Sequence, residues 1–175
     1  ATAAYEKTRD KIVEYIGTND RRSIVFTKGT TESINLVANS WGGQYLKLND
    51  EVLITEMEHH SNIIPWQLIC DRTGAMLKYI PINDDGTLDL SNPEKYFTNK
   101  TKIVCVIHQS NVFGTVNPIP KIVKYAYEVG ALVLVDGAQS TPHHRVNISE
   151  LNCDFFAFSG HKMMGPTGVG VLFAK

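Results

Sequence analysis

Residues 131–140 read ALVLVDGAQS. Five apolar residues in succession, Ala131 to Val135, end on Asp136 and a turn of small residues. A strand with one wet face alternates apolar and polar side chains, so an unbroken apolar run of this length is a strand covered on both faces. Residues 102–107, KIVCVI, have the same character. Between the two runs, Ile119–Val129 carries apolar residues at helical spacing. Strand, helix, strand in that order is the unit of a parallel sheet wrapped by helices.

Outward from this unit the chain keeps alternating. Ala3–Ile16 is helix-periodic, with Ile12, Val13 and Ile16 on one face, and Ser23–Phe26 is a short β-prone run. Thr30–Trp41 spaces Ile34, Leu36, Val37 and Trp41 as one helix would. Glu51–Thr55 reads as a strand, Ile63–Arg72 as a helix once past Pro65, and Ala75–Ile82 as a strand. Residues 83–94, NDDGTLDLSNPE, form a loop in which Asp85-Gly86 supplies turn chemistry. Asp154–Phe158 is a further strand, and the chain ends on another apolar run, Val169 to Ala174. The expected fold is a single three-layer αβα sandwich around a mostly parallel sheet.

Composition narrows the classes. There are 17 basic against 18 acidic residues, a net charge of −1, which argues against a nucleic acid or a membrane surface as partner. The opening residues read as the inside of a helix, so the expectation is a piece of a longer protein whose targeting segment is unseen. The three cysteines, Cys70, Cys105 and Cys153, lack metal-ligand spacing, and Cys70 and Cys105 sit in apolar surroundings. They read as buried thiols of a reducing compartment. A cytoplasmic location follows, with an organelle left open.

In parallel sheets, ligands bind beyond the carboxyl ends of the strands. Five strand ends here release polar residues: Thr27 to Glu32, Thr55 to His60, His108 to Asn111, Asp136 to Gln139, and Ser159 to Lys162. Gly29-Thr30-Thr31 at a helix start offers hydroxyls and free N–H groups to a phosphate, although an ordinary N-cap uses the same residues. Asp136 closes an all-apolar strand, where a carboxylate needs a partner: a cationic ring nitrogen, a structural arginine or a helix cap. His59 suits stacking on a flat ring, against the plainer option of a satisfied core histidine. A zinc site from His59, His60 and His108 lacks a supporting carboxylate spacing. Lys162, beside His161 and expected near a dry core, suits an amine nucleophile, against the plainer option of a lysine reaching out from a loop. Carboxylate, amine and phosphate corner together match pyridoxal 5′-phosphate.

Five segments carry a resemblance: TKGTTESINLVANSWG (27–42), EMEHHSNIIPWQ (56–67), QSNVFGTVNP (109–118), VLVDGAQS (133–140) and CDFFAFSGHKMMGPTGVGVLF (153–173). Together they resemble the class V aminotransferase family of fold-type I pyridoxal-phosphate enzymes, and within it the group II cysteine desulfurases of the SufS/CsdA type. The likeness extends over practically the whole chain and implies that residues 1–175 are most of a cofactor-binding large domain, lacking an N-terminal helix and a C-terminal small domain. It implies that Lys162 carries the Schiff base and shuttles the Cα proton, and that Asp136 protonates the ring nitrogen. His59 would stack on the ring, Gln139 would bond its phenolic oxygen, and Thr30, Thr31, Ser159 and His161 would hold the phosphate. Asn111 would orient the substrate, L-cysteine or L-selenocysteine. The implied reaction yields alanine and passes sulfur, through an enzyme persulfide, to an acceptor protein for iron–sulfur cluster assembly. A homodimer is implied for the parent protein. The family's nucleophilic cysteine and its carboxylate-binding arginine match no residue here. None of the three cysteines is therefore assigned that role, and the chain by itself is expected to be inactive. Selenocysteine lyase or another activity of the family remains the nearest alternative, and a cofactor-free binding scaffold the alternative of another class.

Overall fold

The computed structural model describes residues 2–175. One sheet of seven strands runs through the middle, in the order β1-β7-β6-β5-β4-β2-β3. In chain order these are β1 (Ile24–Thr27), β2 (Glu51–Thr55), β3 (Met76–Ile80), β4 (Thr101–Ile107), β5 (Leu132–Asp136), β6 (Phe155–Ser159) and β7 (Gly170–Ala174). β2 pairs in parallel with β3 and β4, and β5 in parallel with β4 and β6. β7 runs antiparallel to both β6 and β1. β1 therefore points the same way as the other strands, and all the carboxyl ends singled out above share one edge.

Side chains alternate across a strand, and the core divides accordingly. Val104, Val106, Val133, Val135, Phe156 and Phe158 enter one cluster, covered by α1 (Thr2–Ile16) and α5 (Ile119–Glu128). Ile103, Cys105, Leu134 and Ala157 enter the other, covered by α2 (Thr30–Val37) and α4 (Ile64–Thr73). Apolar strands are thus sandwiched between helical layers, as their unbroken hydrophobicity requires. α5 illustrates the fit: Ile119, Ile122, Val123 and Ala126 repeat at three and four residues and are buried. α4 stops at Gly74, whose left-handed φ of 76° lets its N–H reach the Cys70 carbonyl at 2.8 Å.

Two features depart from the expected elements. The segment Thr30–Trp41 is not one α-helix: beyond Val37 it widens into a π-turn, Ala38–Gly42, and resumes as α3 (Gly43–Tyr45). The wider turn sets Gly42 against Ile69 and Trp66 of α4, where a Cβ would lie 3.3 Å from the Ile69 side chain. Between β5 and β6 the chain makes two four-residue helices, α6 (Ser140–His143) and α7 (Ile148–Leu151). Neither is long enough for a periodicity to show.

Gly137 follows Asp136 directly, and a Cβ there would collide with the ring of Phe156, which is fully buried. Gly137→Ala should lower stability by about 1–3 kcal/mol, as overpacking does. Chemical denaturation measures this, and Gly137→Ala combined with Phe156→Leu should recover part of the loss.

Candidate active site

Asp136 ends the central strand β5 with β4 on one side and β6 on the other. Its carbonyl accepts the His108 N–H at 2.9 Å, and the next N–H, of Gly137, binds the Ala157 carbonyl at 2.8 Å. The side chain is 1% exposed. One carboxylate oxygen accepts the Ala138 N–H at 2.9 Å, and among the described residues no other donor reaches this carboxylate. Burial pushes its pKa up, opposed first by the Ala138 N–H and then by the charges of Lys162 and His59. The lysine and the histidine therefore face this carboxylate across a shared space.

That space is a cleft of about 260 Å³. Asp136, Lys162, His59 and Gln139 line it, with Asn111 on one wall. Thr30, Thr31, Ser159 and His161 form its other corner. Every side chain given a cofactor or substrate role in the sequence lines this one cleft, while His60 and His108 do not.

The Thr30 corner is built by close backbone approach. Gly170 opens β7 opposite both Thr27 and Ser159, and a Cβ on it would run into the backbone of Gly29. Without one, α2 starts against the end of β6, where the Thr30 N–H and hydroxyl meet Ser159 Oγ at 2.8 Å and 2.7 Å. Glu32 accepts the Lys28 N–H, and the Ser33 N–H binds the Gly29 carbonyl. The helix start, with its positive dipole end, points its first residues at the cleft.

Lys162 rides on a single turn, Gly160–Met163. The Gly160 N–H bonds Val169 and its carbonyl accepts Gly165, each at 2.9 Å, while Met164 takes a left-handed φ of 59°. A Cβ on Gly165 would sit 2.9 Å from the Gly160 oxygen, so the turn closes only with glycine there. This explains the small residues around the lysine. One expectation is corrected: Lys162 is exposed at the rim rather than held against a dry core, because the tight turn lifts it clear of the β6 strand end.

His59 precedes the turn His60–Asn62 and caps it, its Nδ1 accepting the Ser61 N–H at 3.2 Å. A main-chain N–H can only donate, so the neutral ring carries its proton on Nε2. His60 lies 6.1 Å from His59, centroid to centroid, with the rings tilted by 57°. Among the described residues no three His, Cys, Asp or Glu side chains converge as a metal site needs.

Sequence reading missed Ser61, which holds His59, and Glu58, which lies buried behind it. Glu58 lies three residues past the end of β2 in a run of polar residues, so the rule that singled out Asp136, a charge closing an apolar strand, does not reach it. Burial pushes its pKa up to about 8 against three opposing hydrogen bonds, with Asp136 adding to the rise. His108 is lowered to about 4, by burial first and His144 second. The three thiols are all raised by burial: Cys70 to about 11, Cys153 to about 12, and Cys105 well above the ordinary value. Each stays a protonated, core-packed thiol at neutral pH, a poor nucleophile.

Residues 1–175 match the family described as aminotransferase class-V. The chain belongs to the aminotransferase class-V family. A "probable cysteine desulfurase" from Halalkalibacterium halodurans is 54% identical over 175 residues, covering all of this chain and 43% of that protein. The crystal structure of the Escherichia coli cysteine desulfurase CsdA, in an S-sulfonic acid form, superposes with a TM-score of 0.96 at 38% identity, covering 99% of this chain and 44% of the other. A C-DES mutant with glycine covalently linked to its PLP cofactor superposes at 0.88 with 28% identity, over 99% and 46%. The chain thus spans under half the length of these class-V relatives.

The pH dependence of stability follows from the two shifted groups. A carboxyl raised from 4.5 to about 8 stabilises the fold fully below pH 4.5 and loses that contribution as pH climbs to about 8. A histidine lowered from 6.5 to about 4 contributes fully above pH 6.5 and loses its contribution toward pH 4. The two oppose each other below pH 6.5, and above it Glu58 acts with the same sign as Asp136. The thermal midpoint should fall between pH 6.5 and 8, and Glu58→Gln should flatten that slope; an equal slope in the variant contradicts the assignment.

Proposed function

We propose that this chain is the cofactor-binding part of a pyridoxal 5′-phosphate-dependent cysteine desulfurase. The observation that carries the reading is the facing of Asp136 and Lys162 across one cleft whose far corner is a hydroxyl-rich helix start. The residues fit the cofactor. The buried Asp136 carboxylate has an oxygen without a donor, which a protonated ring nitrogen satisfies. The exposed amine of Lys162 is free to meet an aldehyde. The close approach of Gly170 to the Gly29 backbone sets the start of α2 against β6, and the hydroxyls of Thr30, Thr31 and Ser159 with the His161 ring supply donors for a phosphate. The names and the PLP linkage printed for the relatives support the same reading.

When bound, the cofactor supplies an aldehyde that links to amines and a ring that withdraws electrons from the carbon next to them. The chain's own residues do the rest. Asp136 holds the proton on the ring nitrogen, which keeps the ring electron-poor. Lys162 Nζ anchors the cofactor and moves the proton at the substrate Cα. His59 and Gln139 line the cleft, where His59 would lie against the ring and Gln139 would donate to its phenolic oxygen. Asn111 orients the substrate, L-cysteine, near its carboxylate. The sulfur leaves to a thiol other than Cys70, Cys105 and Cys153, which are packed in the core and do not line the cleft. The same reading makes the whole protein a homodimer that feeds an acceptor protein in iron–sulfur cluster assembly, on the strength of the family resemblance.

Mixing the chain with pyridoxal phosphate should give an absorbance band near the visible edge that borohydride removes, and Lys162→Ala should abolish it. L-cysteine should then yield no sustained sulfide from these 175 residues alone. A folded chain without a band, or a Lys162→Ala variant that keeps one, contradicts the proposal.

A further inference from the structure

Glu58 is a buried carboxyl behind the wall of the cleft that the chemistry above leaves without a part. It is 7% exposed and immediately precedes His59. Its two oxygens receive three donors. The Thr55 hydroxyl and the Ile107 N–H reach Oε1 at 2.6 Å and 2.8 Å, and the Asn62 amide reaches Oε2 at 2.7 Å. Thr55 ends β2, Ile107 ends β4 and lines the cleft, and Asn62 closes the turn that His59 caps. The Asn62 amide is itself oriented, because the Trp66 indole N–H, a donor only, lies 3.0 Å from Asn62 Oδ1. The titratable neighbours that face Glu58 are Asp136 on β5 and the Cys105 thiol on β4, and neither donates to it.

We infer that Glu58 is a positioning residue: its carboxyl ties the ends of β2 and β4 to the turn carrying His59, and so fixes one imidazole orientation and tautomer toward Asp136 and the cleft. The clamp stands on these contacts; what His59 meets in the cleft rests on the cofactor reading above.

The polarity of the network makes even glutamine a disruptive replacement. With its oxygen toward Thr55 and Ile107, a glutamine sets its NH₂ against the Asn62 NH₂. Turned over, it sets that NH₂ against the Ile107 N–H, which can only donate, although the Thr55 hydroxyl can turn to accept. Asn62 cannot rotate to help without presenting its own NH₂ to the Trp66 N–H. A half-satisfied buried network of this kind relaxes at its least packed member, here the exposed His59 turn.

The test uses the full-length protein labelled with ¹⁵N on histidine, before and after loading with pyridoxal 5′-phosphate. Glu58→Gln should move the His59 ring nitrogens away from a single Nε2–H tautomer, and Thr55→Val should move them the same way by less. Cofactor affinity in Glu58→Gln should fall about tenfold, the scale of one lost hydrogen bond. Added to His59→Ala, Glu58→Gln should weaken cofactor binding no further. A merely structural role would lower the thermal midpoint and leave the tautomer alone. Unchanged His59 resonances in the variants, or affinity losses that add in full, overturn the inference. If Glu58→Gln does not fold, Thr55→Val decides by the same resonances. If the wild-type protein binds no pyridoxal phosphate, the proposed function fails, while the imidazole signals still decide the clamp.

Discussion

Burying a carboxylate costs several kcal/mol unless something compensates it, and Asp136 is 1% exposed at the end of the central strand. The strand cannot place it elsewhere. Val133 and Val135 are committed to one core and Leu134 to the other, so the register that buries them also brings Asp136 to the rim. One main-chain N–H holds one oxygen. Among the described residues no other donor reaches the carboxylate, and Lys162 and His59 across the cleft offset its burial only in part, which is why they belong to the same account as the fold.

Packing and chemistry are divided along the strands. Their middles supply two apolar clusters between helices, and their ends supply the polar residues of the cleft. β7 is the exception in direction and it serves the site at its first residue. Gly170 lets the start of α2 lie on the end of β6, which brings Thr30 and Ser159 together from positions 129 residues apart. A rigid sheet thus holds groups whose mutual distances matter, and the loops and turns carry His59, Asn111, Gln139, His161 and Lys162.

Much of this was legible from residue patterns. Unbroken apolar runs marked β4 and β5 as central strands, and the parallel rule then predicted where to look for polar residues. Asp136 stood out because a charge closing an apolar strand demands a partner. Other features were not legible because they depend on contacts between distant segments. The π-turn after Val37 reflects packing of Gly42 on α4, and the exposure of Lys162 reflects a turn closed by Gly160, Val169 and Gly165. Glu58 was hidden by its company: a glutamate beside two histidines reads as a polar loop, until Thr55, Asn62 and Ile107 are seen to converge on it.

The central claim is that one ring is gripped at its nitrogen by the carboxylate closing β5 and at its aldehyde by the amine beyond β6. Nuclear magnetic resonance of pyridoxal phosphate labelled with ¹⁵N in the ring, bound to the protein, observes that grip directly. The account predicts a protonated ring nitrogen in the wild type whose proton is lost in Asp136→Ala, with Lys162 still attached. A nitrogen that is unprotonated in the wild type, or unaffected by removing Asp136, would contradict it.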